Sequence, residues 1–350
     1  MKRATILLAT FLLGLLMFLP GNTVQAAEHQ GHGHGGEVVV ANRASGTISV
    51  IDVRSNELIG TYDLPAGPNT PEPMYVVYSQ RSDYVFVGDR ANNQVVVFAA
   101  DDYTVVGTVP AGIGVFHMWA DPHGRQLWVN NDIDNTITVI DPVALTVLAT
   151  VAVPADLVAD GYKPHDVILD PKGRFAYVTF VGGTGENDYL VQYSTHSFSE
   201  LNRAAVGKDP HVSLTRRNKW IYVPAQNSNI VTVLDRRTLA FVTELSVPGA
   251  HGAAMTPNGK VFYTTNLPGG GSDGLFAIDT RTNTVLGSAD TPYAVPHNLV
   301  VTQNNKLFVT HSGVTSDKVT IYQVTTHDPI PAFLGEVTVG FNPFGLAYVP

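Results

Sequence analysis

Cysteine is absent from the 350-residue chain. Its absence excludes disulfide bonds, thiolate metal sites, a lipid-anchored cysteine and the Cys-x-x-Cys-His attachment of a haem. We expect no haem, and we also expect no nucleotide as a cofactor. A fold without covalent cross-links must be stabilised by a large hydrophobic core, and a chain of this length can form one.

Basic residues are scarce, and two of them lie in a short leader. Lys2 and Arg3 precede an apolar run, 4–20, and the small residues at 24–26 offer a cleavage site. This pattern predicts a signal peptide over 1–26, with a membrane anchor as the alternative. Cleavage leaves 19 basic against 30 acidic residues, a net charge of about −11. We expect a periplasmic or secreted protein that binds neither nucleic acid nor, once cleaved, a membrane.

The rest of the chain repeats a pattern of four short apolar strands. The segment 161–180, GYKPHDVILDPKGRFAYVTF, reads as a strand, a tight turn and a second strand. A third strand follows in most repeats, as at 136–141, and an Asp-containing turn leads to a fourth, as at 145–154. The first strands begin 40 to 49 residues apart, at Met74, Phe116, His165, His211, His251, His297 and Phe344. Units of this length with four strands are propeller blades, so seven starts predict seven blades.

The two ends of the repeat region complement each other. The segment 37–42 matches a second strand that lacks a first, and 343–350 matches a first strand that lacks a second. Pairing them would complete one blade and close the ring without an open sheet edge. We therefore predict an all-β, seven-bladed β-propeller over 37–350, preceded by a flexible tail, 27–36. A pair of β-sandwiches would not explain the incomplete ends.

Four segments carry a resemblance to a known family. They are RFAYVTF at 174–180, KVFYTTN at 260–266, VIDVRSNEL at 50–58 and FAIDTRTNTV at 276–285. They resemble the YVTN-repeat, YncE-like seven-bladed propellers, and the likeness covers nearly all of the mature chain. The resemblance implies the fold. Relatives of this architecture include binding proteins, lactonases and streptogramin lyases, so it does not fix the function.

Histidine recurs where first strands begin. Four histidines occupy this position, namely His165, His211, His251 and His297. Since first strands are innermost in a propeller, these side chains are predicted to surround the upper mouth of the central channel. His311 ends a second strand on the same face. His117 follows Phe116 by one residue, and a shift of one residue turns a strand side chain to the other face. Its membership of the group therefore depends on where that strand starts.

Two interpretations of these histidines remain open. In the structural one, Pro fixes the incoming loop and the imidazole bonds to nearby backbone. In the other, converging imidazoles form an all-nitrogen metal site that suits copper or zinc. Asp166 and Asp209 could orient the rings as hydrogen-bond acceptors. Their position beside loop residues favours surface charges instead.

The tail contains three more candidate ligands: His29, His32 and His34. Cleavage after Ala26 would give a mature N-terminus of Ala27, Glu28 and His29. A free amine, two backbone amides and a histidine in third position can bind Cu(II) or Ni(II) in a square plane. A flexible Gly-rich leader with incidental histidines is the alternative.

These patterns favour a propeller that binds copper or zinc, for metal handling or sensing rather than turnover. The first alternative is a small-molecule enzyme that uses the same opening, such as a copper oxidoreductase, a lactonase or a lyase. The second is a scaffold that binds a periplasmic protein partner on its upper face.

Overall fold

The computed structural model describes residues 35–214, 219–325 and 327–350. These residues belong to one compact unit, Gly31–Pro350. The predicted signal peptide and the tail histidines His29, His32 and His34 lie outside the described residues. None of the helices in the described ranges is long and apolar enough to cross a membrane.

The described chain folds into seven four-stranded antiparallel sheets, which are the blades of a β-propeller. Blade 1 contains β1 (Glu37–Asn42), β2 (Thr47–Asp52), β3 (Glu57–Asp63) and the C-terminal strand β28 (Pro343–Val349). Blade 2 contains β4 (Pro73–Ser79), β5 (Tyr84–Asp89), β6 (Gln94–Ala99) and β7 (Val105–Pro110). Blade 3 contains β8 (Val115–Ala120), β9 (Leu127–Asn131), β10 (Thr136–Asp141) and β11 (Thr146–Ala152). Blade 4 contains β12 (Lys163–Leu169), β13 (Phe175–Val181), β14 (Asp188–Ser194) and β15 (Glu200–Val206).

The remaining three blades follow the same order. Blade 5 contains β16 (Ser213–Leu214), β17 (Trp220–Ala225), β18 (Ile230–Asp235) and β19 (Phe241–Ser246). Blade 6 contains β20 (Ala250–Met255), β21 (Val261–Asn266), β22 (Gly271–Asp279) and β23 (Thr284–Thr291). Blade 7 contains β24 (Pro296–Val301), β25 (Lys306–His311), β26 (Lys318–Gln323) and β27 (Ala332–Thr338). A short helix, α1 (Ala155–Ala159), joins blades 3 and 4, and a 3-10 turn, Gln226–Ser228, lies in blade 5.

The predicted closure of the ring is confirmed. Strand β28 pairs antiparallel with β1, and Val39 lies opposite Ala347. The innermost strand of blade 1 thus comes from one end of the chain and its other three strands come from the opposite end. This pairing leaves neither terminal strand as an open edge.

The hydrophobic core lies between the blades. Seven clusters of buried apolar side chains are present in the described chain, and each joins two neighbouring blades. One of them joins blade 7 to blade 1, through residues that include Phe308 and Val38. Each blade is therefore stabilised on both faces, which explains why second and third strands read as continuous apolar runs.

The Asp-containing turns between third and fourth strands form as the repeat predicted. In four blades the Asp carboxylate accepts backbone N–H groups two or three residues later, at Asp52, Asp141, Asp235 and Asp279. A residue one or two positions before each of these fourth strands has a positive φ, as at Asn56 (62°), Asn283 (55°) and Leu239 (55°). Asp suits the first position because its side chain satisfies the turn backbone.

Candidate metal centre at the channel mouth

The first strands of six blades share a β-bulge at the channel mouth. In β12, Pro164 lies opposite Phe180 and Val167 opposite Val178, so His165 and Asp166 together face one residue, Thr179. The same register shift occurs in the other five strands, β4, β8, β20, β24 and β28. A bulge places two consecutive residues against one and redirects their side chains. Each first strand can therefore present two neighbouring residues to the channel instead of one.

The residues that begin the first strands form a ring of side chains. Centroid distances between consecutive rings are 5.1 Å for Phe116–His165, 4.7 Å for His165–His211, 3.8 Å for His211–His251, 4.7 Å for His251–His297 and 4.0 Å for His297–Phe344. The four predicted histidines thus share one opening. Met74 holds the corresponding position in blade 2, and the ring of Tyr75 lies 5.4 Å from both Phe116 and Phe344. We define the mouth ring as the side chains of Tyr75, Phe116, His165, His211, His251, His297 and Phe344.

His117 joins the mouth ring from the second bulge position of β8. Its ring centroid lies 5.3 Å from that of His165, 5.1 Å from that of His211 and 3.6 Å from that of Tyr75. The sequence left its membership open, because regular alternation would direct it away from the channel. The bulge at Phe116 and His117 removes that alternation, so both side chains reach the same opening.

Three imidazoles form a compact triad: His117, His165 and His211. One ring nitrogen of each lies within 4.8 Å of the other two. The Nε2 atoms of His165 and His211 are 3.2 Å apart. The Nε2 atom of His117 is buried without a hydrogen-bond partner among the described residues. The triad therefore brings three imidazoles close enough together to share one ion.

Asp166 links two members of the triad. Its Oδ1 lies 2.8 Å from Nδ1 of His117, and its Oδ2 lies 3.5 Å from Nδ1 of His211. The backbone N–H groups of Val167 and Val212 also donate to this carboxylate, at 2.7 and 3.0 Å. Asp166 is 8% exposed, so the expectation of a surface loop charge is wrong for it. The bulge turns Asp166 inward, where it orients histidines of blades 3 and 5 rather than its neighbour His165.

The electrostatics of the triad favour neutral rings at His117 and His165 beside a charged Asp166 carboxylate. Burial lowers the pKa of His117 although Asp166 opposes the shift, and burial together with the two neighbouring histidines lowers the pKa of His165 well below its usual value. Burial by itself raises the pKa of Asp166, but attraction to His117 and the bonds from both imidazoles outweigh it, so the net pKa is lowered. A metal ligand must be a neutral imidazole, and the lowered pKa values of His117 and His165 meet that condition near neutral pH.

Two of the three predicted upper-face histidines outside the triad, His297 and His311, have hydrogen-bond partners of their own. The Nδ1 atom of His297 lies 3.0 Å from the side-chain amide of Asn298, and its ring also bonds to the backbone of Phe344. His311 is bonded through Nδ1 to the carbonyl of Ala294 at 3.1 Å and through Nε2 to Thr320 at 2.9 Å. Both histidines therefore fit the structural interpretation.

His251 is the exception in the mouth ring. It is 4% exposed, and neither ring nitrogen has a hydrogen-bond partner among the described residues. Burial and the neighbouring histidines lower its pKa well below the usual value, so the ring is neutral. An unpartnered buried imidazole is unusual, because satisfied polar groups are the rule in protein interiors.

The mouth ring has limited access to solvent. The side chain of His165 is 14% exposed. Its Nε2 atom lies 3.6 Å from Oδ1 of Asp209. Asp209 also lines a surface cavity of about 290 Å³ together with Asp188, Lys208 and Asn227. Asp209 is therefore half-exposed and contacts both this cavity and one member of the triad.

Sequence reasoning did not identify Tyr75 and did not assign Asp166 to the interior. Both are second members of a bulge pair. The signal that could have found them is positional, since each follows a residue that begins a first strand. Sequence reasoning missed this signal because it assumed that side chains alternate regularly along each strand, which directs the second residue away from the channel.

The sequence matches a known family over residues 20–248, more than half of the chain. The matching family is described as lactonase, seven-bladed beta-propeller. The chain belongs to this family. No curated protein sequence matches the chain significantly.

This lactonase-type propeller is similar to many solved structures. The gluconolactonase PpgL of the Pseudomonas aeruginosa periplasm has a TM-score of 0.69 and 15% identity, with 90% of this chain and 99% of that one covered. Kuenenia stuttgartiensis hydrazine synthase has a TM-score of 0.71 and 14% identity, with 88% and 99% covered. A protein from Lactobacillus plantarum has a TM-score of 0.71 and 18% identity, with 90% and 100% covered. At these identities the likeness shows the fold alone.

Proposed function

We propose that this lactonase-type propeller binds a transition-metal ion, zinc or copper, at the triad His117, His165 and His211. The observation that carries the proposal is the triad itself, three buried imidazoles with ring nitrogens within 4.8 Å of one another. Three imidazole nitrogens suit zinc and copper better than magnesium or calcium, which prefer oxygen ligands.

The distances within the triad agree with a shared ion. Two nitrogens bound to a tetrahedral zinc at 2.0–2.1 Å are separated by about 3.4 Å. The Nε2 atoms of His165 and His211 are already 3.2 Å apart. The ligand nitrogen of His117 lies within 4.8 Å of those of His165 and His211. Small side-chain rotations would therefore let all three nitrogens bind one ion.

Asp166 supports ligation by fixing the tautomers of two ligands. Because its carboxylate accepts from Nδ1–H of His117 and of His211, their Nε2 atoms carry the lone pairs. In the metal-free protein the contact between the Nε2 atoms of His165 and His211 needs one proton, which His165 supplies. Ligation by His165 therefore requires its proton to move to Nδ1 or to leave. Carboxylate, imidazole and ion form an arrangement common in zinc sites.

We further infer the setting from the sequence. The leader over 1–26 supports export to the periplasm, and the tail histidines His29, His32 and His34 support capture of metal before or beside the triad. The YVTN-repeat, YncE-like character of the blades agrees with a binding role. Handling or sensing of a metal is therefore the function that we propose, with a periplasmic protein as a further partner.

Metal content tests the proposal directly. We would purify the full chain without an affinity tag, with the tail histidines replaced by alanine, and measure bound zinc and copper by elemental analysis. We expect about one equivalent, as for a single tetrahedral site. His117→Ala should weaken zinc binding by about 100-fold or more, because it removes a ligand rather than an outer-shell group. His123→Ala is the matched control, since His123 is exposed in a turn on the opposite face. Equal affinity in the two variants would refute the proposal.

Asp166 gives a second test. Asp166→Asn keeps the size of the side chain but loses the charge that both imidazoles face. We expect zinc affinity to fall by about 10- to 100-fold. Asp209→Asn is the control, because Asp209 lies 3.6 Å from one histidine and is half-exposed. A larger loss in the Asp209 variant would contradict the assigned role of Asp166.

A lactonase is the second candidate function, and the family membership favours it. A metal or an imidazole at the mouth ring would act on a small molecule that enters from the cavity beside Asp209. Release of acid from a panel of simple lactones, followed in a pH-stat, tests this activity. Turnover that is lost in His165→Ala and kept in His123→Ala would favour the enzyme over metal handling.

A further inference from the structure

We propose that His251 is the fourth ligand of the triad's metal, so that binding closes the centre to other ligands. This inference rests on the proposed metal site and adds its coordination number. The distinction matters chemically, because a closed site with four protein ligands holds an ion, whereas a catalytic zinc site keeps one position open for water or substrate.

The position of His251 is the first support. Its ring centroid lies 3.8 Å from that of His211, the shortest separation between two imidazoles in the mouth ring. His251 is 4% exposed, so its ring lies inside the protein rather than in bulk water. Ligation requires a side-chain rotation, because the nitrogens of His251 do not belong to the group that lies within 4.8 Å of one another in the metal-free protein.

The missing hydrogen bonds of His251 are the second support. Both ring nitrogens are buried without a partner among the described residues, whereas His297 bonds to Asn298 and to the backbone of Phe344, and His311 bonds through both of its nitrogens. A buried polar group without a partner destabilises the fold, because it has lost its bonds to water and gained none in return. Rotation of His251 towards the ion breaks no hydrogen bond and gives one orphan nitrogen a ligand bond. His297 would have to give up its bonds to Asn298 and Phe344.

The geometry of the ring also favours His251 over water. His117, His165 and His211 occupy one side of the mouth ring, and Tyr75 and Phe116 pack against two of them. His251 lies on the other side of His211 from His165. His251 borders the triad, and its acceptor nitrogen has no hydrogen-bond partner among the described residues, so this nitrogen is available to complete a tetrahedral set of four.

The test compares exogenous ligand binding to the Co(II)-loaded protein. The full chain, with tail histidines replaced by alanine, is loaded with Co(II) and titrated with azide while the visible absorption bands are followed. We expect no azide-dependent shift. His251→Ala should open one position and show a saturable shift, which free imidazole should compete away. His297→Ala, the same change at the next ring position, should show no shift.

A measurement on the unmutated site keeps the proposal testable if His251→Ala fails to fold. X-ray absorption of the zinc-loaded full chain should count four imidazoles and no oxygen ligand. Three imidazoles with one oxygen, or an azide shift before any change at His251, would overturn the inference and leave the metal site in place. No stoichiometric metal at all would overturn the proposed function, and with it the role of His251.

Discussion

Acid should destabilise the metal-free propeller, and His311 gives the cleanest measure of this effect. Burial lowers the pKa of its imidazole from 6.5 to about 4, and backbone bonds to Ala294 and Tyr293 only partly oppose the shift. The folded state therefore keeps the ring neutral at a pH where the unfolded chain binds a proton. Since the unfolded state binds more protons between about pH 4 and pH 6.5, stability must fall as the pH falls through that window.

The magnitude follows from the two pKa values. The pKa of His311 is 6.5 in the unfolded chain and about 4 in the folded protein. Lowering the pH from 7.5 to 5 therefore reduces the free energy of unfolding by about 2 kcal/mol through His311 alone. His297, whose pKa burial lowers to about 3, should add a similar amount. The depressed pKa of Asp166 adds nothing in this window, because its stabilising contribution is complete above the ordinary carboxyl pKa and is lost only at lower pH.

The assay is urea unfolding at pH 7.5 and pH 5 in the presence of a chelator. His311→Asn should reduce the stability at both pH values, because it loses at least one of the bonds to Ala294 and Thr320. It should also reduce the difference between the two pH values by about 2 kcal/mol, since the titrating group is gone. His123→Ala, at an exposed position, should leave that difference unchanged. An identical pH dependence in wild type and His311→Asn would refute the reasoning.

Three further predictions concern the closure, the packing and the tail. Deleting 343–350 removes the innermost strand of blade 1, including buried Val349 and half-buried Leu346 and Tyr348, and should cost on the order of 5 kcal/mol; an unchanged melting temperature would contradict the closure. Gly345→Ala should cost about 1–3 kcal/mol, because an added Cβ would lie 2.6 Å from the carbonyl oxygen of Met74 and from the Cα of Tyr75. Gly335→Ala, where a Cβ meets nothing within 4 Å, is its control, and equal melting temperatures would contradict the packing. A peptide of 27–36 should bind Cu(II) in a square plane more tightly at higher pH, since binding displaces protons from the amine and two amides. Acetylation of the peptide amine should abolish the visible spectrum, and a spectrum that survives acetylation would exclude that site.

The sequence alone determined the architecture of this protein. Strands, turns and blades repeat at a period that can be counted, and each local signal agrees with the others. Apolar alternation defines the strands, and Asp with its neighbours defines the turns, as at Asp52 and Asp279. Even the long-range pairing of β28 with β1 was predictable, because the two incomplete units at the ends complement each other.

The sequence also placed four histidines at the channel mouth, since their position in the repeat fixes their place in the ring. It could not separate them by role. His251, His297 and His165 occupy the same position in the repeat. Yet His251 has no hydrogen-bond partner among the described residues, His297 bonds to Asn298 and Phe344, and His165 lies against His211. Those differences depend on neighbours from other blades, which are distant in the chain.

Only the tertiary structure decided the position of His117 and Asp166. A strand without a bulge would have turned both away from the channel. The bulges at β8 and β12 bring them to one point, where the carboxylate from blade 4 meets imidazoles from blades 3 and 5. A register shift of one residue is a property of how two strands pair, and the alternation of apolar residues along one strand does not show it. That pairing sets the geometry of the candidate site.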